Sequence, residues 1–313
     1  MINFESTHMH YYIAFGLHIH SEISLPELAE GDAHSVAEIY IRKGEVRLPA
    51  MHPTRIFRRG IKAAFGEDES QALYLNWPNV ASFKASGGNE LVVSPVASDP
   101  DIISLFTVSE ALGLILFQRG HFLLHASAVV VGEEAWCFMG MPGAGKSSTA
   151  AAFIKAGCRL LSDDLTAITF DEAGKPFILP AYPQLKIWER TVAGLQYDPS
   201  DLEPVSEGVN KYAYQPREQF TAQPVPLKKV FFLHKARNKP EFQNLGIAEI
   251  PGEMLRNFPL PASLIADKNL KRHFFQSLQC ARSAEVLRRR RPEGFEKLEK
   301  WAEDSIREQL IAE

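Results

Sequence analysis

The stretch Gly140-Met141-Pro142-Gly143-Ala144-Gly145-Lys146-Ser147 matches G-x-x-x-x-G-K-[ST] without a deviation, and it constrains the fold more than any other feature of the chain. A loop of this kind works only where a buried strand delivers the chain and a helix begins. Its glycines then turn successive backbone N–H groups onto phosphate oxygens, and the helix N-terminus adds positive potential. Gly140, Gly143, Ala144, Gly145, Lys146, Ser147 and Ser148 are therefore the candidate phosphate-binding residues. Lys146 is placed to reach the β and γ phosphates, and Ser147 offers its hydroxyl to Mg2+. A glycine-rich turn that merely caps a helix is the bland alternative, and it leaves the lysine unexplained.

The flanking residues supply the required context. HASAVVVGEEAWCFMG reads as a hairpin turning at Gly132-Glu133-Glu134, with its second strand stopping at Gly140. KSSTAAAFIKA is rich in helix formers and stops at Gly157, and CRLL then reads as a buried strand ending at Asp163. Strand, glycine loop, helix, strand is α/β organisation. Strand C-termini in an open α/β sheet face the ligand crevice, so Asp163 and Asp164 should lie beside the bound phosphates. One carboxylate can take the proton of an incoming hydroxyl while the other holds Mg2+, the division of labour phosphoryl transfer needs. Two adjacent acids can equally cap a turn after a strand. His125 ends the apolar run FLLH ahead of the loop; alone it reads as a core histidine.

Residues 1–98 read as a β-rich region of short strands, from YYIAFGLHIH to ELVVSP, with Gly87-Gly88 as a turn. Residues 99–313 read as the domain built around the loop. It opens with a helix over 99–119, where Leu105, Val108, Leu112, Ile115 and Leu116 recur at helical spacing. The apolar stretch 102–117 carries Glu110 and is short for a membrane span, so it reads as a buried core helix. LTAITF and LKKVFFL read as strands, 180–188 as a loop running into a strand, and 199–226 as mostly loop. The tail from Pro292 places Phe295, Leu298, Trp301, Ala302, Ile306 and Leu310 on one helical face.

Apolar residues make up 45% of the chain and charged residues 23%, which excludes a disordered or membrane-embedded class. The net charge of −4 provides no positive field for nucleic acid or an anionic membrane. Cys137, Cys158 and Cys280, odd in number and widely spaced, make neither a disulfide framework nor a zinc cluster and read as core residues. MINFESTHMHYYIAFG has no secretory pattern, so the chain reads as cytoplasmic.

The combination HASAVVV, GMPGAGKSST and GCRLLSDD resembles the C-terminal catalytic domain of HPr kinase/phosphorylase and its wider family of serine kinases. The resemblance spans about 121–170. It implies an HPr-kinase-like P-loop kinase core using ATP and Mg2+, with Asp163 as catalytic base, Asp164 in the Mg2+ shell beside Ser147, and His125 assisting near the transferred group. The glycine-rich signature that follows the aspartates in HPr kinases is replaced here by Pro180-Ala181-Tyr182-Pro183-Gln184-Leu185-Lys186-Ile187-Trp188. That phrase and FGLHIHSEISLPEL are similar to HPr-kinase-like proteins of bacterial peptide-modification pathways. Some of those phosphorylate the C-terminal serine of a lasso-peptide precursor, which makes a peptide or protein serine the implied acceptor. A kinase of a small hydroxyl metabolite and a nucleotide-binding regulator without transfer are the rival readings.

Lys186, Lys211 and Arg282 are candidates for neutralising phosphate or holding the acceptor, against the bland reading of solvated surface cations. His8 with His10, and His18 with His20, share strand faces, but a metal needs further ligands. Arg288 to Arg291 reads as a solvated turn or as a grip on an acidic peptide. Neither nucleic acid nor a membrane is an expected partner, and a homo-oligomer is compatible with the sequence.

Overall fold

Side chains alternating between core and solvent lay out the first part of the chain as a sheet. In Ala81–Ser86 the residues Ala81, Phe83 and Ala85 are buried, and those between them reach the surface. The computed structural model describes residues 8–205 and 210–312. The expectation about a leader rests partly on residues 1–7, and part of the 199–226 reading falls on 206–209; both segments lie outside the described residues. The nine strands run in the order Ala29–Glu30, His10–Ala14, Leu17–Ser21, Ile39–Lys43, Glu90–Pro95, Ala81–Ser86, Leu73–Trp77, Ile61–Glu67, His52–Arg58. All neighbours are antiparallel except around Ile39–Lys43, which is parallel to both of its partners.

The apolar helix follows this sheet and packs against Ala81–Ser86 and Glu90–Pro95. Asp99 caps it by accepting from the Asp101 N–H, and Pro100 opens it. A π-helical turn, Thr107–Ala111, interrupts it, with the Ser109 hydroxyl donating to the Leu105 carbonyl at 2.8 Å. Glu110 is accommodated by an ion pair with Arg58 at 3.1 Å. Pro100–Gln118 is long and apolar enough to cross a membrane, yet 78% of its most apolar window is buried within the protein. The chain divides into two units, the first ending at Gly120 and the second beginning at His121. The boundary falls there rather than at 98/99 because the helix belongs to the sheet it covers, with the Phe106 ring 4.8 Å from Trp77.

In the second unit the main sheet runs Phe122–Leu124, Thr166–Phe170, Pro176–Ile178, Val225–His234, Glu134–Met139, Ala126–Val131, Arg159–Ser162. Glu285–Arg290 pairs in parallel along Val225–His234 and carries Phe242–Asn244 on its other edge. Both faces of the sheet are covered, which is why its central strands read as continuous apolar runs. Val129, Val131, Trp136 and Phe138 face one core with helices Lys146–Lys155 and Phe295–Ala312. Ala128, Val130, Cys137 and Met139 face the other with Met254 and Cys280. Segment 199–226, expected as mostly loop, contains the strands Leu202–Pro204 and Lys211–Tyr214, which join Leu185–Trp188 in a three-stranded sheet. Alternation is too short in strands of this length to show in sequence.

The C-terminal helix buries Leu298 and Ala302 and brings Trp301 within 5.4 Å of Phe153. Leu310, placed on the same face from sequence, is 59% exposed, because the helix outruns the surface it packs on. The three cysteines are free and buried, and burial pushes the Cys137 and Cys158 thiols up to about 12.

His273, on helix Asp267–Ser283, is buried between Phe122 and Phe258, and its Nε2 has no hydrogen-bond partner among the described residues. Burial lowers its pKa from 6.5 to about 4. The unfolded chain therefore binds the proton first, so the stability this residue allows is complete above pH 6.5 and is lost as the pH falls through 4. Chemical denaturation of His273→Phe should show a shallower loss of stability across that interval, by roughly 2–3 kcal/mol. Parallel curves for the two proteins would show that folding does not depress the His273 pKa.

Candidate phosphate and carboxylate site

The glycine loop leaves strand Glu134–Met139 and enters helix Lys146–Lys155. Gly140 has φ +146°, and a Cβ there would stand 2.6 Å from the Leu233 carbonyl oxygen, so only glycine lets the neighbouring strand lie this close. Gly145, the N-cap, sits at φ +103° beneath the Arg291 side chain. Asn257 fastens the start of the loop: its side-chain oxygen accepts from the Gly140 N–H at 3.2 Å, and its carbonyl accepts from the His125 N–H at 2.6 Å. His125 and the first glycine are thereby held by one residue. Ala144 is buried in the loop, its N–H donating to the Met141 carbonyl at 2.9 Å.

Lys146 is buried, and its Nζ donates to the Gly140 carbonyl at 3.1 Å. Burial lowers its pKa, with Asp164 and Asp163 opposing. Ser148, two residues on, shares a hydrogen bond with the Thr191 hydroxyl at 2.8 Å, tying the first turn to helix Glu189–Leu195.

Asp163 lies past the end of strand Arg159–Ser162 and is 3% exposed. One of its oxygens accepts from Ser127 Oγ at 2.5 Å and from Ser147 Oγ at 3.0 Å; the other accepts from the Lys186 N–H at 3.0 Å. Burial raises its pKa to about 6 and the Asp164 charge adds to this, while the Ser127 hydroxyl, the Lys186 amide and Lys211 pull it down. Asp164 turns the chain at φ +63°, a left-handed conformation that aspartate tolerates better than most residues. Its carboxylate lies 3.5 Å from the Nζ of Lys186, whose side chain is 3% exposed.

Lys186 and Lys211 sit on paired strands, where Trp188 stands opposite Lys211. The Lys211 ammonium lies 5.8 Å from the Trp188 ring centroid, and its charge acts on both Asp163 and Lys146. The structure thus gathers Lys146, Ser147, Asp163, Asp164, Lys186 and Lys211. Arg282 is not among them: it is exposed near the end of helix Asp267–Ser283, whose buried positions are His273, Ser277 and Cys280. The oxygen donors of Asp163, Asp164 and Ser147 fit Mg2+, a hard cation that takes few protein ligands beside substrate phosphates.

Arg288 to Arg291 is not a turn. Strand Glu285–Arg290 contains most of it, and alternation sends its members to different neighbours: Arg288 to Glu253 at 2.7 Å, Arg289 over the Trp301 ring at 4.5 Å, Arg290 to Glu241 at 3.6 Å. The His8 and His10 rings meet at 4.9 Å, and no group of three or more metal-ligating side chains occurs among the described residues.

Sequence reasoning passed over Ser127, Asn257 and Thr191. Ser127 had a signal, as the one polar residue in the buried strand ASAVVV. Asn257 had none, because its role depends on contacts far along the chain.

No protein-family model matches the chain, and no curated protein matches it. Among solved structures it is similar to the Hpr(Ser) kinase/phosphatase from Coxiella burnetii, at 13% identity and a TM-score of 0.33, over 61% of this chain and 97% of that one.

Proposed function

We propose that this chain is an ATP- and Mg2+-dependent serine kinase of the HPr-kinase-like type, with a peptide serine as acceptor. The observation that carries the reading is the hydrogen bond of 3.0 Å between Ser147 of the glycine loop and Asp163, which joins a phosphate cradle to a buried carboxylate of raised pKa. A loop that only capped a helix would need neither the lysine nor that acid.

In this reading the loop amides, Lys146 and Ser148 hold the phosphate chain. Mg2+, when bound there, would supply positive charge to offset that of the phosphates. Ser147 and Asp164 hold the metal's side of the site, and Lys186 keeps the Asp164 carboxylate in place. Asp163 accepts the hydroxyl proton as the acceptor oxygen bonds to the γ-phosphorus and the bond to the ADP oxygen breaks. A raised pKa suits that task, since a base must hold the proton it takes. His125 assists near the transferred group, and Lys211 offsets charge there.

The acceptor assigned by the resemblance is the C-terminal serine of a lasso-peptide precursor. Mass spectrometry of the protein with Mg-ATP and a serine-terminated precursor peptide should show a gain of one phosphate, about 80 Da, on the peptide. Transfer to a small hydroxyl metabolite instead would replace the peptide acceptor. Nucleotide binding with no transfer to either would leave a regulator and end the kinase reading.

A further inference from the structure

Three cations gather at the glycine loop with no acidic partner among the described residues. Arg291 leaves strand Glu285–Arg290 with its backbone N–H donating to the His234 carbonyl at 2.9 Å. Its side chain then crosses the loop: a Cβ on Gly145 would stand 2.5 Å from Arg291 Cδ and 2.6 Å from Nε. One terminal nitrogen donates to the Pro292 carbonyl at 3.2 Å and the guanidinium lies 5.6 Å from the Phe295 ring centroid, but Nε is buried with no hydrogen-bond partner among the described residues. Lys235 directly follows His234. Arg190 precedes Thr191, the residue bonded to Ser148 of the loop helix.

The three feel one another. Burial and then the charges of Arg291 and Arg190 lower the Lys235 pKa; burial and then Arg190 lower that of Arg291. Neighbouring cations are treated differently: Arg237 pairs with Glu293 at 2.9 Å, and Arg288 and Arg290 each have a glutamate. Mutual repulsion without a counter-ion costs stability, and an anion seated among the three would offset it.

Position selects the anion. Arg291 lies against Gly145 and Arg190 adjoins the residue bonded to Ser148, while the charges that act on Lys146 are those of the two aspartates and Lys211. We propose that Arg190, Lys235 and Arg291 form a second phosphate subsite, which takes the α-phosphate end of the nucleotide held by the loop. The inference rests on the loop holding a nucleotide.

Titration calorimetry of the full chain with Mg-ADP and Mg-ATP tests it, using Arg190→Gln, Lys235→Gln and Arg291→Gln, with the exposed Lys300→Gln as control. Each of the three should weaken both nucleotides roughly tenfold. The control should bind like wild type, and Arg291→Lys should recover part of the loss. A thermal midpoint near that of wild type for Lys235→Gln keeps the result from being one of misfolding. If the wild type binds nucleotide and all three variants bind it within twofold, the subsite is overturned while the loop assignment stands. A wild type that binds neither nucleotide overturns the loop assignment and this subsite with it.

Discussion

Lys146→Ala should abolish measurable Mg-ATP binding and phosphate transfer while leaving the protein folded. The Nζ of Lys146 now spends its charge on the Gly140 carbonyl at 3.1 Å, inside the loop it would serve. Burial lowers its pKa, so the cation is held at a cost that a bound phosphate would offset. Removing it therefore takes little from stability and leaves phosphate charge without its closest neutralising group. A loss of at least about a hundredfold in turnover is expected, in line with removal of a preorganised charge from a phosphoryl-transfer site. Calorimetry with Mg-ATP and mass spectrometry of the peptide read the two effects, and thermal melting checks the fold. Lys146→Arg should not rescue, because the guanidinium is larger and planar and the lysine it replaces is buried. A Lys146→Ala protein that still transfers phosphate would remove the glycine loop as the nucleotide site.

Asp163→Asn should separate binding from chemistry. Asparagine can keep the local bonds: its oxygen accepts from the Lys186 N–H, and its NH2 group meets the Ser127 and Ser147 hydroxyls, which can turn to accept. The site geometry then survives, and Mg-ATP affinity should stay within a few-fold of wild type. Turnover should fall by about 10²–10⁴-fold, the range for loss of a general base. The sign of the pH dependence follows from burial, which raises the Asp163 pKa to about 6: kcat/KM in the wild type climbs as the pH rises through that region, and the residual rate of the Asn variant should not. Turnover unchanged by the substitution would assign the proton to another group, with Asp164 next in place.

The parts of the site that depend on short-range order were legible. The loop, its strand and helix, and the turn bearing Asp163 and Asp164 lie within 134–164, where strand length, helix formers and glycines act over a few residues. Lys186 could be named as a candidate, but only pairing with Lys211–Tyr214 across a segment expected as loop sets it beside Asp164. Arg282, a candidate from the same reasoning, lies on the exposed side of its helix because His273, Ser277 and Cys280 claim the buried side. The boundary between units was misplaced at 98/99 for a related reason. An apolar helix must cover some sheet, and periodicity does not say which one.

What the sequence determined by itself is the local grammar: hairpins in the first unit, the glycine loop between strand and helix, an apolar face on the tail helix, and two acids at a strand end. Each follows from backbone conformation and side-chain periodicity, which neighbours along the chain control. The tertiary structure alone decided which distant groups meet. It set Ser127 and the Lys186 amide on Asp163, Asn257 on Gly140, and Arg291 across Gly145. Those contacts come from strand order, with Val225–His234 lying between Glu134–Met139 and Glu285–Arg290. Strand order is settled by burying both faces of the sheet at once, a property of the whole unit that no local stretch of residues contains.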